Sequence, residues 1–441
     1  MYSVMFPAFV LLHFLNSCFA NKRNYFRFVL LLVVMTFFFV DAIFSQWQRF
    51  QEAEMLHSAV PSVEWVKFND CTTGHEVIQM TSSEHGTWAT HFNTTTVTPD
   101  DRYLVFSSDR TGNWQLYRAS LENGEILQLT DVNSLANSSF TMHPNGTEAL
   151  FGFDGKLGRV NIITGEIRKA EFDVPVTFRR LVSNDGKYSV VTHTSEGSLI
   201  LLISLSLPEV VAELNWPRGT TLSPGITWTG RISHTMMNPE YPWLVTFLPV
   251  STYREETQYF DHQRDMSLPM KLRARAWLWD ARTGEASPFV SAPLHYSYTH
   301  EAWCRTGERF FLFQKSAPGW VPNHISSVDR DGNDWQYHHS DDTLRLGHGS
   351  PSYDGKWFVS DGQDPGRNPI RLINLETGRW EDLCWPDASI SPGHSQQAHV
   401  HPSFSSSGNY IVFTSDRTGS SEAYVIKVPR QVKLRLKQSI E

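Results

Sequence analysis

Short hydrophobic runs alternate with turn residues along most of this chain. The clearest example lies between Thr98 and Thr130, where "YLVF", "WQLYRA" and "EILQL" are separated by turns that contain Asp, Asn and Gly. Short apolar runs with Gly-containing turns between them are typical of β-strands in antiparallel sheets. Helical periodicity does not persist over a long window outside the N-terminal region. The pattern therefore predicts an all-β protein.

One unit of turn and strands recurs seven times. Each copy has a turn with Asp or Asn and Gly, a hydrophobic strand, a second strand, a turn similar to "-TGE-" and a third strand. The copies begin at Thr98, His143, Ser183, Asn238, Cys304, Ser352 and Ser405. Spacings of roughly 40 to 66 residues fit the blades of a β-propeller once loop insertions are allowed. We therefore expect a seven-bladed β-propeller, closed against its last blade by strands from Val63–Thr81.

Two segments of the repeats carry further expectations. The related sequences "SSDRTG" (Ser107–Gly112) and "TSDRTG" (Thr414–Gly419) are interpreted as structural turns, in which Asp and Gly form the turn and Arg bonds to it, in preference to catalytic Asp–Arg pairs. The insertion Ser251–Leu272 interrupts the fourth unit and is polar and aromatic. We expect it to form a loop on the ligand-binding face.

The N-terminal region differs from the rest. Phe28–Val40 is an apolar run of 13 residues, preceded by Lys22, Arg23 and Arg27. It is short for a membrane span and fits the hydrophobic region of a signal peptide. We predict that residues 1–45 are a signal peptide or a retained N-terminal anchor, and that residues 46–441 form the propeller domain. The protein is then exported to the periplasm or secreted.

The charge of the chain argues against nucleic acid as a partner. The formal net charge is −8, and removal of residues 1–45, which carry three positive charges and one negative charge, changes it to about −10. A chain with this charge has no basic field with which to bind a phosphate backbone. Binding of an acidic ligand must therefore depend on local cations.

Neutral metal-capable side chains are concentrated in "HSQQAHVHPSF" near the C-terminus. His399 and His401 are two residues apart, so in an extended strand they point to the same face, and Gln396 can reach them from the preceding loop. A cation with only neutral ligands keeps its full charge, and such a set suits Mn²⁺ or another first-row metal better than Ca²⁺. The spacing alone also fits a hydrogen-bonded network at a strand end.

Other histidines share a position with this segment. His234, His300 and His348 stand just before the turns of units four, five and six, as His399 and His401 do in unit seven. Equivalent points of propeller blades form a ring around the central channel, where ligands bind. We therefore expect these histidines to meet in the channel.

Several motifs together resemble the oligogalacturonate lyases of polysaccharide lyase family 22. They are "YTHEAW", "DGKWFVSDG", "QQAHVHPSFSSSGNYIVFTSD" and "FSSDRTGNWQLYRASLENGEILQLTD". The resemblance extends from about Val63 to Pro429. It implies a seven-bladed propeller that binds Mn²⁺ and cleaves short oligogalacturonides, which are acidic oligosaccharides, by β-elimination to 4,5-unsaturated uronates.

The resemblance also implies roles for individual residues. The metal ligands correspond to His300, Gln396, His399 and His401, and the Brønsted base corresponds to His234. A neutral metal site stabilises the charge that builds on the substrate carboxylate, while an imidazole with a pKa of about 6.5 is uncharged at working pH and can accept the proton.

The substrate-binding residues are less well defined by the resemblance. Members of the family bind the substrate carboxylate with an arginine, and Glu196–Val211, where we look for it, contains none. Arg231 is the first candidate for that role and Arg218 the second. His348 and His91 are further candidates for substrate contact, or for the base if His234 does not serve.

Two alternatives remain open at this point. A non-catalytic propeller would use the metal to bind an acidic oligosaccharide without proton transfer. A protein-interaction propeller of the TolB type would have these histidines by chance.

Overall fold

A computed structural model describes most of the chain beyond residue 50. The described residues are 51–53, 62–82, 84–193, 198–216, 221–223, 226–251, 273–291, 296–316, 323–364, 366, 368–390 and 398–438. The predicted signal segment, residues 1–45, lies outside them, as do Gln396 and all but the first residue of the insertion Ser251–Leu272. Contacts divide the chain into Met1–Gln51 and Glu52–Glu441, and the second unit is described below. No helix among the described residues is long and apolar enough to cross a membrane.

The regular secondary structure of the described residues is almost entirely β-strand. In chain order the strands are β1 (Gln51–Ala53), β2 (Ser62–Val63), β3 (Val66–Asn69), β4 (Glu76–Gln79), β5 (Thr87–Trp88), β6 (Tyr103–Ser108), β7 (Gln115–Ser120), β8 (Glu125–Gln128), β9 (Leu135–Met142), β10 (Glu148–Phe153), β11 (Lys156–Asn161), β12 (Ile167–Ala170), β13 (Val176–Val182), β14 (Tyr188–His193), β15 (Leu199–Ser204), β16 (Glu209–Asn215), β17 (Thr221–Ser223), β18 (Ile226–Met237), β19 (Leu244–Ser251), β20 (Ala274–Asp280), β21 (Glu285–Ser291), β22 (Tyr296–Trp303), β23 (Arg309–Ser316), β24 (Asn323–Asp329), β25 (Trp335–Asp341), β26 (Leu346–Pro351), β27 (Trp357–Gly362), β28 (Ile370–Asn374), β29 (Trp380–Cys384), β30 (Ser403–Phe404), β31 (Tyr410–Ser415) and β32 (Glu422–Lys427). One helix, α1 (Arg430–Lys437), follows and buries Val432 and Leu436.

The strands form seven antiparallel sheets, the blades of a propeller, which confirms the predicted fold. Blades 1 to 7 have β5, β9, β13, β18, β22, β26 and β30 as their inner strands. Blades 3, 5 and 6 have four strands, and the others gain a fifth from β2, β1, β17 or β3. The inner strands of blades 2 to 7 contact one another in sequence, and blade 1 joins this series through contacts of β6 with β9 and of β5 with β32, which places the blades around a common channel.

The ring is closed by strands from the two ends of the propeller. β4 from the N-terminal side pairs with β32 from the C-terminal side, with Val77 opposite Ile426 and Gln79 opposite Tyr424. The predicted closure by Val63–Thr81 is therefore confirmed, although Val63 itself pairs with Glu125 in blade 1. This pairing covers a sheet edge that would otherwise be open to other chains.

Apolar side chains pack between neighbouring blades. Met236 and Val290 of blade 4 belong to the same buried cluster as Trp303 and Phe310 of blade 5. Both faces of most blades are covered in this way, which explains why central strands such as β6 are buried along nearly their whole length. Because the core lies between blades, the channel is free to be lined by polar side chains.

The "DRTG" turns have the structural role that the sequence predicts. Asp109 accepts a hydrogen bond from the Gly86 amide through its carboxylate (2.9 Å) and one from the Gly112 amide through its carbonyl (2.8 Å). Arg110 pairs with Glu64 at 2.8 Å. Arg110 also donates from Nε to the Ser108 hydroxyl within the same segment (3.3 Å), and neither Asp109 nor Arg110 lines the cavity of the channel histidines.

Candidate functional site

The inner strands of blades 3 to 6 are interrupted at the point where the candidate residues lie. The strand register shifts between Phe178 and Val182, between Ser233 and Met236, between Thr299 and Ala302, and between Leu346 and Gly349. Such β-bulges redirect a side chain and are frequent beside active sites. The bulged residues include Arg180, His234, His300 and His348.

The backbone at these bulges is strained. Arg180, His234 and His300 have φ angles of 65°, 47° and 53°, in the left-handed region that residues other than glycine rarely adopt. Each such residue costs about 1–3 kcal/mol and persists only where the surrounding structure enforces it. Strain repeated at equivalent points of neighbouring blades indicates a site at which side-chain direction matters more than local stability.

The glycines beside His348 explain part of the sequence "LGHGS". A Cβ atom at position 347 would overlap the side chain of Gln363, and one at position 349 would overlap the ring of Phe358. The two glycines therefore allow the His348 segment to pack closely against β27 and its extension.

The bulged side chains meet in one cavity of about 520 Å³ at one end of the channel. Its polar lining includes His91, Arg179, Arg180, His234, His300, Glu301, His348, His399 and His401. The prediction that histidines of blades 4 to 7 converge on the channel is confirmed. The common register is visible in the numbering, because the four turns begin at Asn238, Cys304, Ser352 and Ser405, each four residues after a channel histidine.

His399 and His401 reach the cavity by a different route from the one expected. The prediction that they occupy an extended strand and share one face is wrong, because they lie in the loop before β30 (Ser403–Phe404). His401 also has a positive φ of 46°. The centroids of their rings are nevertheless 5.4 Å apart. The loop therefore brings the two side chains together, as the strand was expected to do.

Three of these histidines form a group that could hold a metal ion. One nitrogen atom from each of His348, His399 and His401 lies within 4.8 Å of the others. The ring of His300 is 4.4 Å from that of His348. Nδ1 of His399 is buried and has no hydrogen-bond partner within the described structure. An unpaired buried nitrogen facing other imidazoles fits a cation better than it fits a hydrogen-bonded core.

A hydrogen bond sets the tautomer of the His300 ring. His300 Nδ1 lies 2.8 Å from the carbonyl oxygen of Gly347, which can only accept, so Nδ1 carries the hydrogen. His348 Nδ1 lies 2.9 Å from Oδ2 of Asp361 and 2.8 Å from Nε2 of Gln363, so both of its hydrogen-bonding contacts are made by Nδ1. In the His300 ring Nε2 is left with a free lone pair. This arrangement is the one that histidine metal ligands commonly adopt.

Asp361 organises the histidine group from behind, and the sequence analysis missed it. It is fully buried, it accepts hydrogen bonds from the backbone amides of His348 (2.7 Å) and His401 (3.3 Å), and its Oδ2 lies 2.9 Å from Nδ1 of the His348 ring. Burial raises the pKa of its carboxyl to about 6. The only signal in the sequence was its place in the motif "DGKWFVSDG".

The histidines of the group are neutral. Burial lowers the pKa of His300, His348 and His401 well below 6.5, and the neighbouring imidazoles lower it further. The pKa of His399 is lowered as well, again by burial. Neutral imidazoles are available as ligands at neutral pH without having to lose a proton.

His234 belongs to a separate group on another wall of the cavity. Its side chain is 40% exposed, whereas Glu301 behind it is 2% exposed. Nδ1 of His234 lies 2.8 Å from Oε2 of Glu301, and Arg275 binds Oε1 of the same carboxylate. Burial alone would raise the pKa of the Glu301 carboxyl, but Arg275 and His234 outweigh it and hold that pKa well below its usual range. The sequence analysis quoted Glu301 within "YTHEAW" without assigning it a role.

Two arginines that the sequence analysis did not consider line the cavity. Arg179 and Arg180 lie in β13, two strands before the segment Glu196–Val211 in which an arginine was expected. Arg180 donates to the carbonyl oxygen of Ser138 at 3.2 Å. Burial and Arg179 lower its pKa to about 10, which leaves it charged at neutral pH. The channel histidines precede their turns by four residues, and the same spacing before the turn residue Ser183 gives Arg179. This spacing could therefore have identified the pair from the sequence.

The remaining predicted residues have different outcomes. His91 lines the cavity, with its ring 4.9 Å from that of His401 and its Nδ1 2.6 Å from Oδ1 of Asn93. Arg231 lies in β18, but its side chain is outside the described structure, and so is Gln396. The roles given to these two residues stay predictions.

The other end of the channel is a different environment. A cavity of about 640 Å³ there is lined by turn residues of all seven blades. Arg305 closes it inward by donating to the Val182 carbonyl (3.1 Å) and to the Thr95 hydroxyl (2.9 Å), with its guanidinium over the ring of Tyr353. Both Nη atoms of Arg305 already bind these neutral groups, so Arg305 serves as a structural contact at this end of the channel. The other end contains an imidazole nitrogen, Nδ1 of His399, that has no partner in the described structure.

Known proteins with similar sequences are oligogalacturonate lyases. The oligogalacturonide lyase of Pectobacterium atrosepticum is 23% identical over 395 residues, which cover 83% of this chain and 96% of that protein. The oligogalacturonate lyase of Dickeya dadantii is 22% identical over 397 residues, with 83% and 96% covered. No family model matches the chain. The resemblance predicted from the motifs is therefore confirmed.

Solved structures of the same kind share the fold. An oligogalacturonate lyase in complex with manganese matches with a TM-score of 0.69 and 19% identity, over 86% of this chain and all of that one. The oligogalacturonate lyase of Vibrio parahaemolyticus matches with a TM-score of 0.67 and 18% identity, over 85% of this chain and all of that one. At this level of identity the comparison confirms the propeller architecture.

Proposed function

We propose that this protein is a metal-dependent lyase that cleaves short oligogalacturonides by β-elimination. The observation that carries the proposal is the division of one cavity into two histidine groups. His348, His399 and His401 present free nitrogens to one another, while His234 stands apart with a carboxylate partner of its own. The similarity to oligogalacturonate lyases supports the substrate class.

His399 and His401 are the first residues of the proposed metal site. His348 joins them because one of its ring nitrogens lies within 4.8 Å of theirs, and His300 joins because its Nδ1 is engaged with the Gly347 carbonyl and its Nε2 is free. Gln396 is kept as the amide ligand suggested by the sequence. The donors are all neutral, and the manganese complex of a structurally similar lyase supports Mn²⁺ as the ion. A divalent cation held by neutral ligands would stabilise the negative charge that develops on a substrate carboxylate.

The substrate carboxylate needs a charged partner from the protein, and Arg180 provides one. It lies in the same cavity as the histidines, and its guanidinium keeps its charge at neutral pH. No carboxylate within the described ranges forms an ion pair with it. Arg180 and Arg179 are therefore better supported than Arg231 for binding the uronate. His91, stacked on His401, lies at the edge of this region.

Proton transfer falls to His234. Its ring is exposed to the cavity and Nδ1 is engaged with Glu301, so Nε2 can accept a proton from substrate. In the proposed reaction the C5 proton passes to Nε2, the C5–H electrons form the C4=C5 bond, and the C4–O bond breaks. The departing oxygen takes a proton from solvent. Proton abstraction by a positioned base typically contributes about 10²–10⁴-fold to a rate.

Short oligomers suit the overall charge and the shape of the channel. The chain has a formal charge of −8, so a long polyuronate is repelled, whereas a di- or trisaccharide presents few charges. Arg305 bonds across the channel to Val182 and Thr95, on the side away from the histidines. We further propose that the protein is exported and acts on fragments that other enzymes release, since Phe28–Val40 reads as the core of a signal peptide.

The deciding experiment is a lyase assay on di- and trigalacturonate, with added Mn²⁺ and with a chelator. The expected result is release of an unsaturated uronate, detected by its ultraviolet absorbance, that depends on the metal. Binding of the oligosaccharide without product would identify a non-catalytic binding propeller. Absence of both metal and oligosaccharide binding would favour a protein-interaction propeller.

Ligand assignment needs its own test, because the sequence and the structure group His348 differently. The sequence analysis gave it a role in substrate contact, whereas one of its ring nitrogens lies within 4.8 Å of those of His399 and His401. Metal content should fall in His348→Ala if it is a ligand. Unchanged metal content with a raised KM would return it to substrate binding.

A further inference from the structure

A buried carboxylate lies directly behind the exposed histidine of the cavity. Glu301 is 2% exposed, and its Oε2 atom is 2.8 Å from Nδ1 of His234. Its other oxygen, Oε1, is bound by Nε of Arg275. Both carboxylate oxygens are therefore occupied by protein groups. Although Glu301 borders the cavity, both of its oxygens are held by protein groups, and its link to the chemistry is therefore through His234.

The contact determines which nitrogen of His234 carries the hydrogen. A carboxylate accepts hydrogen bonds, so at 2.8 Å the facing nitrogen must donate. Nη2 of Arg275 lies 3.4 Å from the same nitrogen and could donate to it if Nδ1 were unprotonated. The lone pair of an unprotonated Nδ1 would, however, face the nearer oxygen of Glu301 and repel it. The shorter contact decides the tautomer. Nδ1 is protonated, and Nε2 is left unprotonated on the cavity side.

We propose that Glu301, anchored by Arg275, is the positioning residue that fixes the tautomer and orientation of His234 as a base. This rests on the proposed function, in which His234 accepts the substrate proton. The three residues come from different parts of the propeller: His234 from β18, Arg275 from β20 and Glu301 from the neighbouring blade. The base is therefore aligned across a blade boundary.

Arg275 makes the amide substitution unusually informative. In Glu301→Gln, Arg275 can only donate, so it holds the amide oxygen and turns the NH₂ group towards His234. That NH₂ group also donates, which favours the tautomer with hydrogen on Nε2 and none on Nδ1. Such a ring cannot accept the substrate proton. Glu301→Ala releases the ring without imposing the wrong tautomer. Glu301→Gln, the more conservative substitution, is thus expected to lower kcat more than Glu301→Ala.

The test compares Glu301→Gln and Glu301→Ala in the full chain loaded with Mn²⁺. We expect kcat to fall by roughly 10²–10³-fold in the Gln variant and by about 10-fold in the Ala variant, with little change in KM or metal content. Combining His234→Ala with Glu301→Gln should cost no more than His234→Ala alone, because the glutamate acts only through that histidine. A larger loss in the Ala variant, or additive losses in the double variant, would overturn the proposal.

A direct measurement does not depend on lyase activity. In ¹⁵N NMR of histidine-labelled protein, assigned by the signal lost in His234→Ala, the ring hydrogen should move from Nδ1 to Nε2 in Glu301→Gln. If it does so while the wild type forms no unsaturated product, the proposed function fails and the positioning by Glu301 stands. If the wild type is active and the tautomer does not move, the positioning fails alone.

Glu148→Gln is the matched control. Glu148 is a half-buried glutamate paired with Arg159 in blade 2, away from the channel. Its substitution removes a comparable ion pair and should change the thermal stability without changing kcat or the His234 signal. An equal loss of kcat in Glu148→Gln would show that the effect at Glu301 is a general loss of stability.

Discussion

The cavity contains two histidine–carboxylate pairs that differ in almost every respect. His234 is 40% exposed, and its partner Glu301 is bound by Arg275. His348 is buried, and its partner Asp361 forms no ion pair with an arginine or lysine anywhere in the described chain. The pKa of Glu301 is held below its usual range, whereas burial raises that of Asp361 to about 6.

The difference separates two tasks that histidine can perform. The positive charge that balances Glu301 is already present, so His234 is oriented and left free to exchange a proton. Within the described ranges no arginine or lysine balances the charge of Asp361, and a cation bound to His348 would supply that balance. A histidine whose carboxylate partner has no other positive charge beside it is thus suited to binding a metal. A histidine whose carboxylate partner is already neutralised by an arginine is suited to proton transfer.

The largest effect should come from removing a metal ligand. His399→Ala should reduce bound metal from about one ion per chain to almost none and abolish activity, because Nδ1 of His399 has no other partner in the described structure. The propeller should still fold, since its core lies between the blades. Metal analysis and circular dichroism check this. His75→Ala, which removes a surface histidine paired with Glu381, is the control. Stoichiometric metal in His399→Ala would refute the assignment.

Removing the base should leave the metal in place. In His234→Ala we expect kcat to fall by at least roughly 10²-fold with unchanged metal content, because the residue contributes a proton acceptor and no ligand. Steady-state kinetics together with metal analysis distinguish this from the ligand variants. An unchanged kcat would transfer the role of base to His348 or His91.

Asp361 should affect the metal more than the chemistry. Asp361→Asn removes the carboxylate that holds the His348 ring and two backbone amides, so metal affinity should fall by roughly 10- to 100-fold. At saturating Mn²⁺ most of kcat should return. Metal titration by calorimetry measures the affinity. If Asp361→Asn lost activity without losing affinity, the two histidine–carboxylate pairs would not have the separate tasks described above.

Arg180 should influence the binding of substrate. Lysine keeps the charge but cannot bind a carboxylate through two parallel hydrogen bonds, so Arg180→Lys should raise KM by about 10-fold with kcat and metal content little changed. Arg179→Lys is the comparison at the neighbouring position. Equal KM values in wild type and Arg180→Lys would leave Arg231 as the candidate.

The smallest expected effect is on the stability of the metal-free protein. Burial lowers the pKa of His91, His300, His348 and His401 below 6.5, so the unfolded chain binds more protons than the folded one once the pH falls below that value. Their contribution to stability is complete above pH 6.5 and is lost progressively below it. Asp361, with its pKa raised from 3.8 to about 6, makes the folded protein more stable as the pH falls, which opposes the effect of the histidines. It is a single group against four. The melting temperature should therefore be level above pH 7 and fall as the pH is lowered towards 5. A level profile down to pH 5 would show that these histidines are not buried as neutral groups.

The sequence by itself determined the fold and the register of the site. Seven copies of one strand pattern required a ring of blades, and the histidines of blades 4 to 7 precede equivalent turns. Both are local patterns with a fixed repeat, which a single sequence displays directly. The same counting leads to Arg179 in blade 3, with Arg180 beside it, although it was not applied there.

Only the tertiary structure decided which side chains act together. A β-bulge moves side chains to the other face of a strand by inserting one residue, and nothing in "FRRLV", "ISHTMM" or "YTHEAW" marks where that insertion lies. His399 and His401 meet through a loop that the sequence analysis took for a strand. Glu301 and Asp361 gain their roles from contacts with other strands and blades, at Arg275, His234, His348 and His401. Such contacts depend on how the blades pack around the channel, which is a property of the whole ring and of no single segment.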